Sequence, residues 1–72
     1  MRIVFTRHAK SRLRERGIRK QDVVHTILKP EWYIPTFNDR IRVQKSMGKR
    51  RIEVIYTEEI PNIIYVITCY YL

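Results

Sequence analysis

The stretch Thr6-Arg7-His8-Ala9-Lys10-Ser11-Arg12-Leu13-Arg14-Glu15-Arg16-Gly17-Ile18 decides how this chain folds. It reads as a short, strongly cationic helix from Arg7 to Arg16. Thr6 opens it, because a threonine hydroxyl accepts from the free N–H groups of a first turn. Gly17 closes it, because glycine adopts the left-handed conformation that ends a helix without steric cost. At 100° per residue Ala9 and Leu13 define the inward face, with Phe5 feeding into it. His8, Arg12 and Arg16 are spaced i, i+4, i+8 and form one ridge. Arg16 falls about 20° and Arg12 about 60° from Ala9. A guanidinium this close to a buried face must meet a carboxylate, a backbone carbonyl or a bound anion.

Upstream, Arg2 to Phe5 is a short apolar strand. Downstream, Gly17-Ile18 turns the chain and tucks Ile18 into the core. A second helix runs from Lys20 to Leu28, with Asp22 in its first turn, where the dipole favours a carboxylate. Val23, Val24, Ile27 and Leu28 give it an apolar stripe, and Pro30 stops it. The period then changes from 3.6 to 2. Glu31 to Phe37 is extended, and Pro35 assigns it to a sheet edge. Asn38-Asp39 is a turn. From Arg40 to Met47, Ile41, Val43 and Met47 alternate with Arg40, Arg42, Gln44 and Ser46. Gly48-Lys49 reverses the chain. Arg50 to Thr57 alternates again, with Ile52, Val54 and Tyr56 on one side. Glu58 to Asn62 is the next turn, and Ile63 to Leu72 is an interior strand. Short links imply an antiparallel meander. The expected architecture is α+β, β-α-α-β-β-β, with two N-terminal helices on one face of a twisted antiparallel sheet.

At 72 residues the chain suffices for a single domain, residues 1–72. Its one cysteine, Cys69, excludes an internal disulfide and a cysteine zinc site, and fits a reducing cytoplasm. No stretch reads as a signal peptide or a membrane span. The net charge of +8 is segregated. Arg2, Arg7, Lys10, Arg12, Arg14, Arg16, Arg19 and Lys20 crowd the N-terminal part, offset only by Glu15. Arg40, Arg42, Lys45, Lys49, Arg50 and Arg51 form a second group with no acid among them. Charge so divided attracts phosphates or an acidic protein more than it serves solubility alone.

The run Phe5-Thr6-Arg7-His8-Ala9, then Arg12-Leu13, Arg16-Gly17-Ile18 and Asp22-Val23, resembles the DUF4258 domain family, which is grouped with the RelE/ParE-like toxin superfamily. Lys29-Pro30-Glu31, the basic hairpin around Gly48 and the strand Ile63 to Thr68 fit as well, so the resemblance spans nearly the whole chain. One departure is Arg19, where the family pattern has a capping Ser or Thr. The resemblance implies a RelE/ParE-like fold and a toxin of a type II toxin–antitoxin pair. Superfamily members typically cut mRNA, often on the ribosome, without a metal; others poison DNA gyrase. The implied partner is an acidic, partly disordered antitoxin that adds a strand or helix and neutralises the basic surface.

Metal-free RNA cleavage needs a base for the ribose 2′-hydroxyl, cations for the phosphorane and an acid for the departing 5′-oxygen. His8 is the histidine nearest the cationic ridge, and imidazole titrates near neutrality. Arg12 and Arg16 would clamp the phosphate. Arg42, Lys45, Lys49, Arg50 and Arg51 would hold flanking RNA. Tyr70 or Tyr71 would act as acid or stack on a base. Each assignment has a structural rival. His8 in a first turn also suits a hydrogen bond to a strand carbonyl. Arg16 also suits an ion pair with Asp22 or Glu53. Trp32, Tyr33 and Phe37 read as edge-strand packing before base stacking, and Cys69 as a small apolar residue of an interior strand. His8 and His25 have the wrong spacing for a metal site, so neither metal nor cofactor is expected. Three functions stay open: a metal-independent mRNA interferase acting on free or ribosome-bound mRNA, a non-catalytic RNA- or ribosome-binding module, and a ParE-like inhibitor of a protein target.

Overall fold

The first helix forms as its caps require. In the computed structural model, which describes residues 1–59 and 61–72, α1 spans Arg7–Arg16 and follows strand β1, Arg2–Phe5. The Ala9 N–H donates to the Thr6 hydroxyl oxygen at 3.1 Å. The same hydroxyl donates to the Val66 carbonyl at 2.9 Å, so one side chain both caps α1 and pins it to the far end of the chain. Gly17 sits at φ 64°, ψ 36°, and the Ile18 N–H closes on the Leu13 carbonyl at 3.0 Å. Helix α2 spans Lys20–Leu28. Arg19 stands at its N-cap without a side-chain cap. Its guanidinium instead reaches Asp22 in the first turn at 3.2 Å.

The remaining strands are β2 (Trp32–Pro35), β3 (Arg40–Met47), β4 (Arg50–Glu59) and β5 (Ile63–Tyr71). Asn38 and Asp39 both adopt positive φ, 63° and 58°, as a tight turn between right-twisted strands demands. Gly48, at φ 64°, meets the same demand in the β3–β4 hairpin. The expected turn Glu58–Asn62 is shorter at its start, because Glu58 and Glu59 continue β4; Ile60 lies outside the described residues.

The sheet order is β1-β5-β4-β3-β2. Two expectations are corrected here. The described residues form five strands, β-α-α-β-β-β-β, because both Arg2–Phe5 and Trp32–Pro35 join the sheet. The sheet is mixed, because β1 pairs parallel with β5 while the other pairs are antiparallel. Short turns dictate direction only between successive strands. The partner of β1 lies a whole chain away and is reached through the helices, so its direction has no local signal.

Both helices cover one face, α1 on β5 and β1, α2 on β4 and β3. The core between them and the sheet joins Ala9, Leu13, Ile18, Val23 and Ile27 to Val43, Ile52, Val54, Tyr56, Ile64, Val66 and Cys69. Leu28 is exposed, against the expected stripe, and Thr26 is fully buried in its place. Thr26 lies about 60° from Val23 around the helix and Leu28 about 140°, so the true stripe is Val23, Thr26, Ile27. The Thr26 hydroxyl remains satisfied by donating to the Asp22 carbonyl at 2.7 Å.

A register shift interrupts β4–β5. Ile55 faces Thr68 but Tyr56 faces Val66, which makes Ile67 an extra residue in β5. Side chains alternate across a strand, so the bulge reverses the phase of everything after it. Val66 and Cys69 both face the helices, and Thr68 and Tyr70 both face away.

Candidate functional site

The face without helices carries the polar chemistry. Cross-strand partners share a face, so the register lays out a row across four strands: Trp32 on β2, Gln44 on β3, Glu53 on β4 and Tyr70 on β5. Glu53 is the centre of this row and is only 2 % exposed. It accepts from Gln44 Nε2 at 2.7 Å, from Arg42 Nε at 3.3 Å and from the Tyr70 hydroxyl. Burying a carboxylate is tolerable only with such partners, and here an ion pair and two neutral donors supply them.

Arg51 extends the network. Its guanidinium donates to Gln44 Oε1 at 3.1 Å, to the Ser46 hydroxyl at 3.0 Å and to Glu31 Oε1 at 2.9 Å. It also lies 6.0 Å from the Trp32 ring centroid. The Arg51 hydrogen bond, with the Ser46 N–H at 3.2 Å, holds the Glu31 carboxyl below its ordinary value. Arg40 and Arg2 point to the same face through their register with Thr57 and Ile63. Cations outnumber carboxylates there.

Arg16 joins from the rim. Strand β1 ends opposite Val66, so the later part of β5 has no strand on that side. Arg16 Nη1 fills the gap by donating to the Cys69 carbonyl at 2.9 Å, and its guanidinium lies 5.8 Å from the Tyr70 ring. A carbonyl, rather than Asp22 or Glu53, is therefore its partner. Asp22 is occupied by Arg19.

The structure thus brings together Arg16 and Tyr70 of the expected catalytic group, but not His8 or Arg12. His8 is exposed in the first turn of α1, and among the described residues its imidazole makes no side-chain hydrogen bond. Arg12 closes on Glu15, whose carboxyl that hydrogen bond lowers. The expected RNA-binding group divides as well. Arg42 and Arg51 lie on the open face. Lys45 is in phase with Val43, on the helix side, and donates to the Lys29 carbonyl at 2.6 Å, where it caps α2. Arg50 stacks on Tyr71, 3.7 Å from its centroid, and Lys49 is exposed in the hairpin loop. Cys69 is fully buried, and burial raises its thiol pKa.

Glu53 and Gln44 had no place in the sequence-level site. The signal for their side of the sheet was present, since both alternate out of phase with the apolar positions; their convergence depended on register. Trp32, 58 % exposed, does not pack as an edge residue, nor do Tyr33 and Phe37. Among the described residues no helix is long and apolar enough to cross a membrane. No curated protein and no solved structure matches the chain. A family of domains does: residues 5–71 match the Domain of unknown function (DUF4258), and the chain belongs to that family.

Proposed function

We propose that this protein is a RelE/ParE-like toxin that binds RNA on the open face of its sheet and cleaves it through the ribose 2′-hydroxyl. The observation that carries the reading is the meeting of Arg16 and Arg42 around the Tyr70–Glu53 pair. The superfamily placement is supported by chain order, an N-terminal strand and two helices followed by a meander. In the proposed step the 2′-oxygen bonds to phosphorus and the P–O5′ bond breaks. The 2′-proton passes to the Tyr70 oxygen as the phenolic proton passes to Glu53. The 5′-oxygen takes a proton from water. Arg16 and Arg42 stabilise the added charge on the phosphorane. His8 and Arg12 fall outside this step.

Purified protein is expected to cut ribosome-bound mRNA or free RNA and leave 2′,3′-cyclic phosphate ends. Tyr70→Phe should keep binding and lose cleavage; undiminished cleavage by that variant refutes the assignment. Binding should weaken with salt, and Arg42→Ala and Arg51→Ala should each lower the log–log salt slope by about 0.7.

One observation favours a second reading, a binding module without catalysis: the open face offers a single proton-transfer pair, and His8 stands apart from it. RNA binding with no cleavage products would select it. Growth arrest with intact mRNA and DNA-damage signalling would select a protein target instead. The toxin reading carries a cytoplasmic location and an acidic antitoxin as partner. A neighbouring small reading frame encoding an acidic protein would support both.

A further inference from the structure

We infer that Trp32 is a stacking platform for an unpaired base of single-stranded RNA, which makes it the base-contacting residue of the open face; this rests on the RNA-binding reading above. Among the described residues three aromatic side chains are strongly exposed, and their positions separate them. Tyr33 pairs with Val43 and lies on the helix side, and Phe37 lies in the β2–β3 turn. Trp32 alone is on the cationic face, in register with Gln44 and Glu53.

An indole more than half exposed on a sheet edge gains little for the fold. It gains a great deal from a flat partner, because base–aromatic stacking is sequence-tolerant and strong. The neighbouring Arg51 guanidinium, 6.0 Å from the ring, supplies the charge for the phosphate attached to that base. Arg51 is itself held by Glu31, Gln44 and Ser46, so cation and ring are positioned together before any ligand arrives. Such preorganisation lowers the ordering cost of binding. A nucleotide carries both a flat π-face and a negative charge beside it in every unit; an acidic peptide without aromatic residues offers only the charge.

Trp32 is the only tryptophan, so its emission reports the contact directly. The probes are a ten-nucleotide unstructured RNA, an abasic strand of equal length and an oligoglutamate peptide, with binding followed separately by anisotropy of end-labelled strands. The RNA is expected to quench Trp32. The abasic strand should bind more weakly, without comparable quenching. Trp32→Ala should reduce RNA affinity about 5- to 150-fold and leave abasic-strand affinity unchanged, while Trp32→Phe keeps part of the gain. RNA binding by anisotropy with no quenching and no effect of Trp32→Ala overturns the inference and leaves the RNA-binding reading standing. Absence of RNA binding removes both. Quenching by oligoglutamate and not by RNA overturns the inference in favour of a protein-docking ring.

Discussion

Replacing Glu53 with alanine should cost this domain a large share of its stability. The carboxylate accepts from Arg42, Gln44 and Tyr70 and is almost wholly sealed. Removing the acceptor strands three donors at once. Each neutral hydrogen bond contributes about 1 kcal/mol net and the charged one about 2, giving roughly 4 kcal/mol if all donors stayed dry. They do not stay dry. The Arg42 side chain is 41 % exposed and recovers water, so the expected loss is about 2–3 kcal/mol. In a domain of this size that corresponds to a Tm drop of roughly 10–20 °C. Urea denaturation followed by far-ultraviolet circular dichroism measures it. Glu53→Gln should fall between, since it keeps one acceptor oxygen but turns a donor toward donors. Combining Glu53→Ala with Tyr70→Phe should be non-additive by about 1 kcal/mol, because both variants delete one bond. A Glu53→Ala loss under about 0.5 kcal/mol would refute the claim that the carboxylate organises this face.

Three further outcomes are expected. Thr6→Val removes both the α1 cap and the hydroxyl bond to Val66, at a cost of about 2 kcal/mol, whereas Thr6→Ser keeps most of it; equal midpoints in urea would contradict the double role. Gly17→Ala meets no neighbour within 4 Å but is strained at φ 64°, so it should lose about 1 kcal/mol, and no change in thermal midpoint would contradict this. Burial, with Glu58 and Tyr33 adding smaller effects, pushes the Tyr56 phenol up to about 12. The folded state therefore prefers the protonated phenol. That preference is fully present below about 10, where the unfolded phenol titrates, and is lost as pH rises to about 12, a fall of about 2–3 kcal/mol. Tyr56→Phe should flatten the stability profile in that window, and an equally steep fall in the variant would assign the effect elsewhere.

Much of this fold was readable locally. Thr6, Gly17 and Pro30 bracket the helices, and Asn38-Asp39 and Gly48 mark the hairpins, because caps and positive φ are settled by residues a few positions apart. What could not be read depends on distant partners. The parallel pairing of β1 with β5 and the extra residue Ile67 leave no trace in alternation, since β5 is apolar on both faces. With the bulge unseen, the neighbours of Tyr70 were unseen too. Other placements were legible from alternation alone. Lys45 is in step with Val43, and Arg50 with Ile52, so simple alternation already places both cations on the helix side. Arg16 was rightly expected to need a partner near the core, and a strand carbonyl freed by the shortness of β1 provides it.

The bulge at Ile67 makes the last strand two half-strands spliced out of step. Deleting Ile67 would close the splice, because Thr68 would then adjoin Val66 just as Ile55 adjoins Tyr56 on the facing strand; pairing the full-length strand without the bulge would instead send the thiol of Cys69 to solvent and the phenol of Tyr70 into the oil. The splice therefore decides which side chains the strand buries, and a scan of the strand with charged residues should show tolerance at odd positions before it and at even positions after it.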